Sequence, residues 1–134
     1  MNVLFEGIFV GFYSLLIYLI VVLFKLDVSI YIIFFKVGFI KHFISYFIGL
    51  YSLYCQVGNA CIKDNKKNKK SVFPGFLTLF KESILEGFFF LLIGGLLLFF
   101  ICKKEYVIFL IGFLIHIFSE LLGVHKDFCK IRCR

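Results

Sequence analysis

Apolar residues in this chain run in long blocks rather than in alternation, and short charged clusters separate the blocks. A helix rises about 1.5 Å per residue and the hydrocarbon layer of a bilayer is about 30 Å thick, so about 20 consecutive apolar residues suffice to cross it. Four segments reach or approach that length, at residues 7–24, 28–53, 83–102 and 106–123. The pattern predicts an all-α protein of four transmembrane helices. The clusters Lys25-Leu26-Asp27 and Lys103-Lys104-Glu105 leave room only for tight turns, so the helices pair as antiparallel hairpins. Between the hairpins lies CIKDNKKNKKSVFPGF, a polar stretch punctuated by Pro74-Gly75. The chain therefore divides into a first hairpin unit at 1–62, a basic linker at 63–81 and a second hairpin unit at 82–134.

Composition agrees with the pattern. Of the 134 residues 62% are hydrophobic, against the roughly 45–50% of a soluble domain, and the mean hydropathy is +1.03. The lipid bilayer is the expected partner. A net charge of +7 would suggest nucleic acid in a soluble chain, but here the basic residues flank apolar blocks, so no nucleic acid is expected. One side of the membrane receives Lys63, Lys66, Lys67, Lys69, Lys70, Lys81, Lys126, Lys130, Arg132 and Arg134, and the other only Lys25, Lys103 and Lys104. The positive-inside rule then predicts both termini in the cytoplasm. The N-terminal stretch has no basic n-region and no small-residue cleavage site, so the first apolar block is expected to be retained.

The second and fourth blocks resemble one another. Shifted by 74 positions, VGFIKHFISYFIGLYSLYC falls on IGFLIHIFSELLGVHKDFC without a gap, matching Gly38 to Gly112, Phe39 to Phe113, His42 to His116, Ser45 to Ser119, Gly49 to Gly123 and Cys55 to Cys129. EGIFVGF from Glu6 similarly answers EGFFFLL from Glu86. The expected architecture is two tandem-duplicated hairpins related by a pseudo-two-fold axis along the membrane normal. At 100° per residue, Gly38, His42, Ser45 and Gly49 fall at about 0°, 40°, −20° and 20°, one narrow stripe. That stripe and its match, Gly112, His116, Ser119 and Gly123, read as helix-packing seams with polar centres, and Gly94-Gly95 offers a further close approach opposite Gly38 or Gly112.

Ionisable groups inside a membrane are costly and are usually paired or turned towards a cavity. Folding each hairpin about its turn predicts two polar intramembrane clusters, Glu6 with Lys41, His42 and Ser45, and Glu86 with His116, Ser119 and Glu120. Each reads either as a proton, ion or metal site or as a hydrogen-bonded lock between helices. Glu82 and Glu86, and likewise His116 and Glu120, share a helix face at i, i+4, with His125 just beyond, a donor set able to hold a divalent metal. No H-E-x-x-H spacing accompanies it, and no cofactor is expected. The cysteine pairs Cys55-x5-Cys61 and Cys129-x3-Cys133 share one face. In the cytoplasm they are free thiols or a four-cysteine zinc site, and in an oxidising lumen they are disulfides.

No nucleotide-binding glycine loop, nucleophile elbow or Ser-His-Asp arrangement occurs. The codon-like bias towards Lys, Phe and Ile, the small size and the signature GFxKHF…G…YC…C resemble small multi-pass membrane proteins of large DNA viruses of protists. That resemblance implies a viral or host endomembrane location and no particular chemistry. The leading expectation is a non-enzymatic integral membrane protein with a structural or assembly role, acting with itself as a homo-oligomer or with other membrane proteins. The competing expectations are a small ion, proton or solute transporter or channel using the Glu/His clusters, and a metal- or thiol-dependent membrane enzyme.

Overall fold

A computed structural model describes residues 2–24, 29–62 and 69–134. The turn expected at 25–27 and the lysines at 63, 66 and 67 lie outside the described residues. The first helix, α1 (Val3–Leu23), begins where the Asn2 side chain accepts a hydrogen bond from the Leu4 N–H at 3.0 Å, satisfying one of the orphan amides of the first turn. It is followed by α2 (Ile30–Phe47), α3 (Leu50–Val57), α4 (Asn59–Ile62), α5 (Phe76–Leu98), α6 (Lys104–Leu121) and α7 (Val124–Arg132). The described residues contain no β-strand, only an isolated bridge between Ser71 and Cys133.

The expected second block is not one helix. It breaks after Ile48 because Gly49 adopts φ +80, a left-handed conformation that a residue with a Cβ resists, and α3 departs from there. Gly123, at φ +79, performs the same break between α6 and α7, which are bent by 77°. Two of the four glycines read as close-packing positions are therefore helix breakers, and a Cβ at either would meet nothing within 4 Å. The third block also differs, since α5 starts at Phe76, inside the expected linker, after Pro74 and a Gly75 at φ +90. The turn from α5 to α6 spans residues 99–103, so Lys104 and Glu105 form the first turn of α6.

Two helices, α1 and α2, are each long and apolar enough to cross a membrane, and α6 with α7 qualifies as a bent third. In α5, Lys81, Glu82 and Glu86 interrupt the N-terminal half, whereas residues 87–101 carry no charge. Large apolar side chains point outward along these helices, among them Phe5, Phe9, Phe12 and Leu16 of α1 and Phe88, Leu92 and Leu96 of α5. Helices that are apolar on every face suit lipid contact, so the chain associates with membranes.

The helices pack across the midpoint of the chain. α1 lies chiefly on α6 and α2 on α5, and each neighbour along the sequence makes the lesser contact. Phe34, Val37, Phe90, Val107, Ile108 and Ile111 are wholly buried where the four meet. Gly38 and Gly112 permit the approach as expected of the other two stripe glycines. A Cβ on Gly38 would sit 2.8 Å from the Glu86 carbonyl oxygen, and one on Gly112 would sit 2.9 Å from that of Val10. Gly94 also serves a close approach, but against Phe34 and Ile111 rather than opposite either stripe glycine, and Gly95 meets only Tyr31 at ordinary contact distance.

Candidate functional site

Cross-packing of the helices re-pairs the polar residues. Glu6 does not meet Lys41, His42 or Ser45. Its carboxylate Oε2 lies 3.0 Å from His116 Nε2, with both side chains buried. Glu86 correspondingly meets the other half, with Oε1 2.5 Å from Lys41 Nζ and Oε2 3.5 Å from His42 Nδ1. The expected grouping within each hairpin fails because each carboxylate-bearing helix finds its main neighbour in the opposite half of the chain.

Around Lys41 and His42 the remaining capacity is filled locally. The Tyr51 hydroxyl lies 2.8 Å from His42 Nδ1, and Glu82 Oε2 lies 3.4 Å from His42 Nε2. Arg132 in turn donates to Glu82 Oε1 at 2.6 Å. Ser45 donates back to the Lys41 carbonyl at 2.5 Å and lies 3.3 Å from the Tyr13 hydroxyl. Lys41 also rests over the Phe90 ring, 5.2 Å from its centroid, so the ammonium has one ionic and one aromatic partner.

Around His116 the chemistry differs. Glu120 Oε2 lies 2.8 Å from His125 Nδ1, and the rings of His116 and His125 are 4.5 Å apart between centroids. Asn59, on the short α4, donates through its backbone N–H to Glu6 Oε1 at 2.5 Å and through its side-chain amide to Glu120 Oε1 at 3.0 Å. The Tyr54 hydroxyl reaches Glu120 Oε2 at 3.5 Å. On α3, burial pushes the Tyr51 and Tyr54 phenols up, and the neighbouring carboxylates add to it.

Both groups face one cavity of about 240 Å³, whose wall includes Glu6, Lys41, His42, Ser45, Glu86, His116, Ser119 and His125. Glu120 stands beside it through His125. Beyond the cavity, at the same end of the bundle, the cysteines close as Cys55–Cys133 and Cys61–Cys129, and each bond joins the end of the first half to α7 or the residue following it. The cysteines are therefore paired between the local pairs rather than within them. Cys102 is free and exposed. Tyr13, Tyr54 and Asn59 join the site without having been singled out in the sequence. Tyrosines carry no distinguishing signal in so aromatic a chain, but Asn59, a polar side chain between Gly58 and Ala60, was a readable exception.

No family model matches the chain, and neither a curated protein nor a solved structure matches it.

Proposed function

We propose that the chain is a multi-pass integral membrane protein, built from two duplicated helical hairpins, with a non-enzymatic structural or assembly role in a viral or host membrane. The observation that carries this reading is the direction of the strong links. Glu6–His116, Lys41–Glu86 and His42–Glu86, and both disulfides, run from one half of the chain to the other. Polar pairs spent on joining two halves hold a bundle together in lipid, where apolar burial between helices contributes little.

The duplication is supported by exchange. Replacing each residue by its counterpart turns the Glu6–His116 pair into Glu86–His42 and Gly49 into Gly123, and the matched Cys55 and Cys129 each bond the second cysteine of the other half, although Cys61 and Cys133 lie two residues out of the 74-residue register. In this reading α5 is the fourth span, its three charged residues lying towards the disulfide-bearing end. For orientation two signals oppose one another: the charge excess favours the cytoplasm for that end, and the disulfides require an oxidising compartment. We give the disulfides precedence, because oxidation is a chemical requirement whereas the charge excess is a bias on insertion, and we place both termini on the oxidising side.

The ionisable lining of the cavity favours one alternative, a small proton or ion pathway. Reconstitution into liposomes separates the two. A structural protein gives no flux dependent on pH, while His42→Ala and His116→Ala each lower its thermal stability. A pH-dependent conductance abolished by those substitutions would establish the pathway and remove the structural reading.

A further inference from the structure

We propose that Glu6, His116, Glu120 and His125 form a binding site for a single divalent transition-metal ion, with zinc the natural occupant of the donor set. Two imidazoles and two carboxylates supply borderline nitrogen and hard oxygen ligands, which suit zinc, iron(II) or manganese rather than a site for calcium alone. The ligand atoms of His116, Glu120 and His125 all lie within 4.8 Å of one another, and Glu6 Oε2 is 3.0 Å from His116 Nε2. Tetrahedral zinc with bonds of about 2.0–2.1 Å has ligand-to-ligand edges of about 3.4 Å. The two hydrogen-bonded pairs are already inside that edge, so closure around an ion needs only side-chain adjustment.

Orientation of the carboxylates makes the case beyond proximity. Asn59 holds Oε1 of both Glu6 and Glu120, one through its backbone N–H and one through its side chain. Oε2 of each carboxylate is thereby left facing an imidazole. Donors that fix the non-ligating oxygen of a carboxylate are the usual outer shell of a metal site, and losing them weakens metal binding.

Charge points the same way. Glu86 is met by Lys41 and Glu82 by Arg132, whereas among the described residues Glu6 and Glu120 are within ion-pair distance of no Lys or Arg, only of histidines. The other half lacks the set: the positions matching Glu120 and His125 are Tyr46 and Tyr51, and Lys41 stands where the second half has Ile115. A lysine ammonium neutralises the carboxylate on one side of the cavity, and a metal ion does so on the other.

The test uses the full chain, purified unreduced in detergent, stripped with a chelator and titrated with Zn(II) and Co(II). The expected result is one equivalent of zinc by elemental analysis, a visible d–d spectrum for the cobalt form without a thiolate charge-transfer band, and a rise in the melting temperature with zinc. His125→Gln and Glu120→Gln, both at the edge of the bundle, should each weaken zinc binding by at least roughly tenfold and abolish the thermal shift, while Glu105→Gln at the exposed far end of α6 leaves both unchanged. Absence of stoichiometric zinc, a thiolate band assigning the ion to the cysteines, or a zinc-induced thermal shift that survives in His125→Gln would overturn the proposal. His116→Gln adds a fourth arm when it folds, and the outcome does not depend on it.

Discussion

Glu6 and His116 stand 110 residues apart in sequence and meet at 3.0 Å, 4% and 6% exposed respectively. A hydrogen bond between membrane helices is worth about 1–2 kcal/mol in model peptides, but removing one partner so that the other is left buried and unsatisfied costs about 1–3 kcal/mol, more where the orphan is charged. His116→Ala is therefore expected to lower the thermal stability of the detergent-solubilised protein more than Glu6→Gln, which keeps an amide able to bond the ring. Equal losses in the two variants, read by a thermal-shift assay, would show that the hydrogen bond to His116 is not what Glu6 contributes.

Lys41 and Glu86 make a closer pair at 2.5 Å. Lys41→Met alone leaves Glu86 with His42, and Glu86→Leu alone leaves an ammonium in the bundle. Each single change should destabilise by about 3 kcal/mol, and the double variant should recover most of the loss, since an apolar pair of similar volume often replaces a buried ion pair at little cost. Additive single effects in the cycle would indicate that the two groups act independently.

Glycine substitutions should separate close approach from backbone conformation. Gly38→Ala drives its Cβ to 2.8 Å from the Glu86 backbone oxygen, and Gly112→Ala to 2.9 Å from that of Val10. Backbone cannot move as a side-chain tip can, so each should cost about 1–3 kcal/mol. Gly49→Ala and Gly123→Ala meet nothing but must hold φ near +80, which costs about 1 kcal/mol. Gly95→Ala finds only Tyr31 at 3.7 Å and should be neutral in the same melting assay.

Cys102 is a native reporter of orientation, because it is free and exposed in the turn region opposite the disulfides. In sealed vesicles a membrane-impermeant maleimide should reach it from the cytoplasmic side, with the other four cysteines reacting only after reduction and from the opposite side. Labelling of Cys102 from the lumenal side would reverse the assignment. Reduction itself should lower stability by about 2–4 kcal/mol for each bond.

The helical class was legible because apolar blocks of this length have few other uses, and the Glu, His and Cys residues now gathered at one end of the bundle stood out among Phe, Ile and Leu, whereas Tyr13, Tyr54 and Asn59 did not. Which residue meets which was not legible. A short link makes two helices adjacent but does not make them the closest pair, and Glu6 reached His116 rather than His42 for that reason. The roles of Gly49 and Gly123 were also hidden. At helical spacing a glycine that relieves a contact and one that turns the chain look identical, and only a positive φ distinguishes them. Glu82 carried a double reading of the same kind. Its place one turn before Glu86 suggested a shared ligand face, whereas its partners are His42 and Arg132.

The disulfides bear on the order of events during synthesis. Cys55 and Cys61 leave the ribosome long before Cys129 and Cys133, with sequence separations of 78 and 68 across the two bonds. The first half must therefore enter the membrane with both thiols reduced and only five residues between them, free to oxidise against one another in the interval. Covalent closure of the bundle waits on α7 reaching α4, and a premature Cys55–Cys61 link is the kinetic trap that a thiol-exchange partner would have to undo.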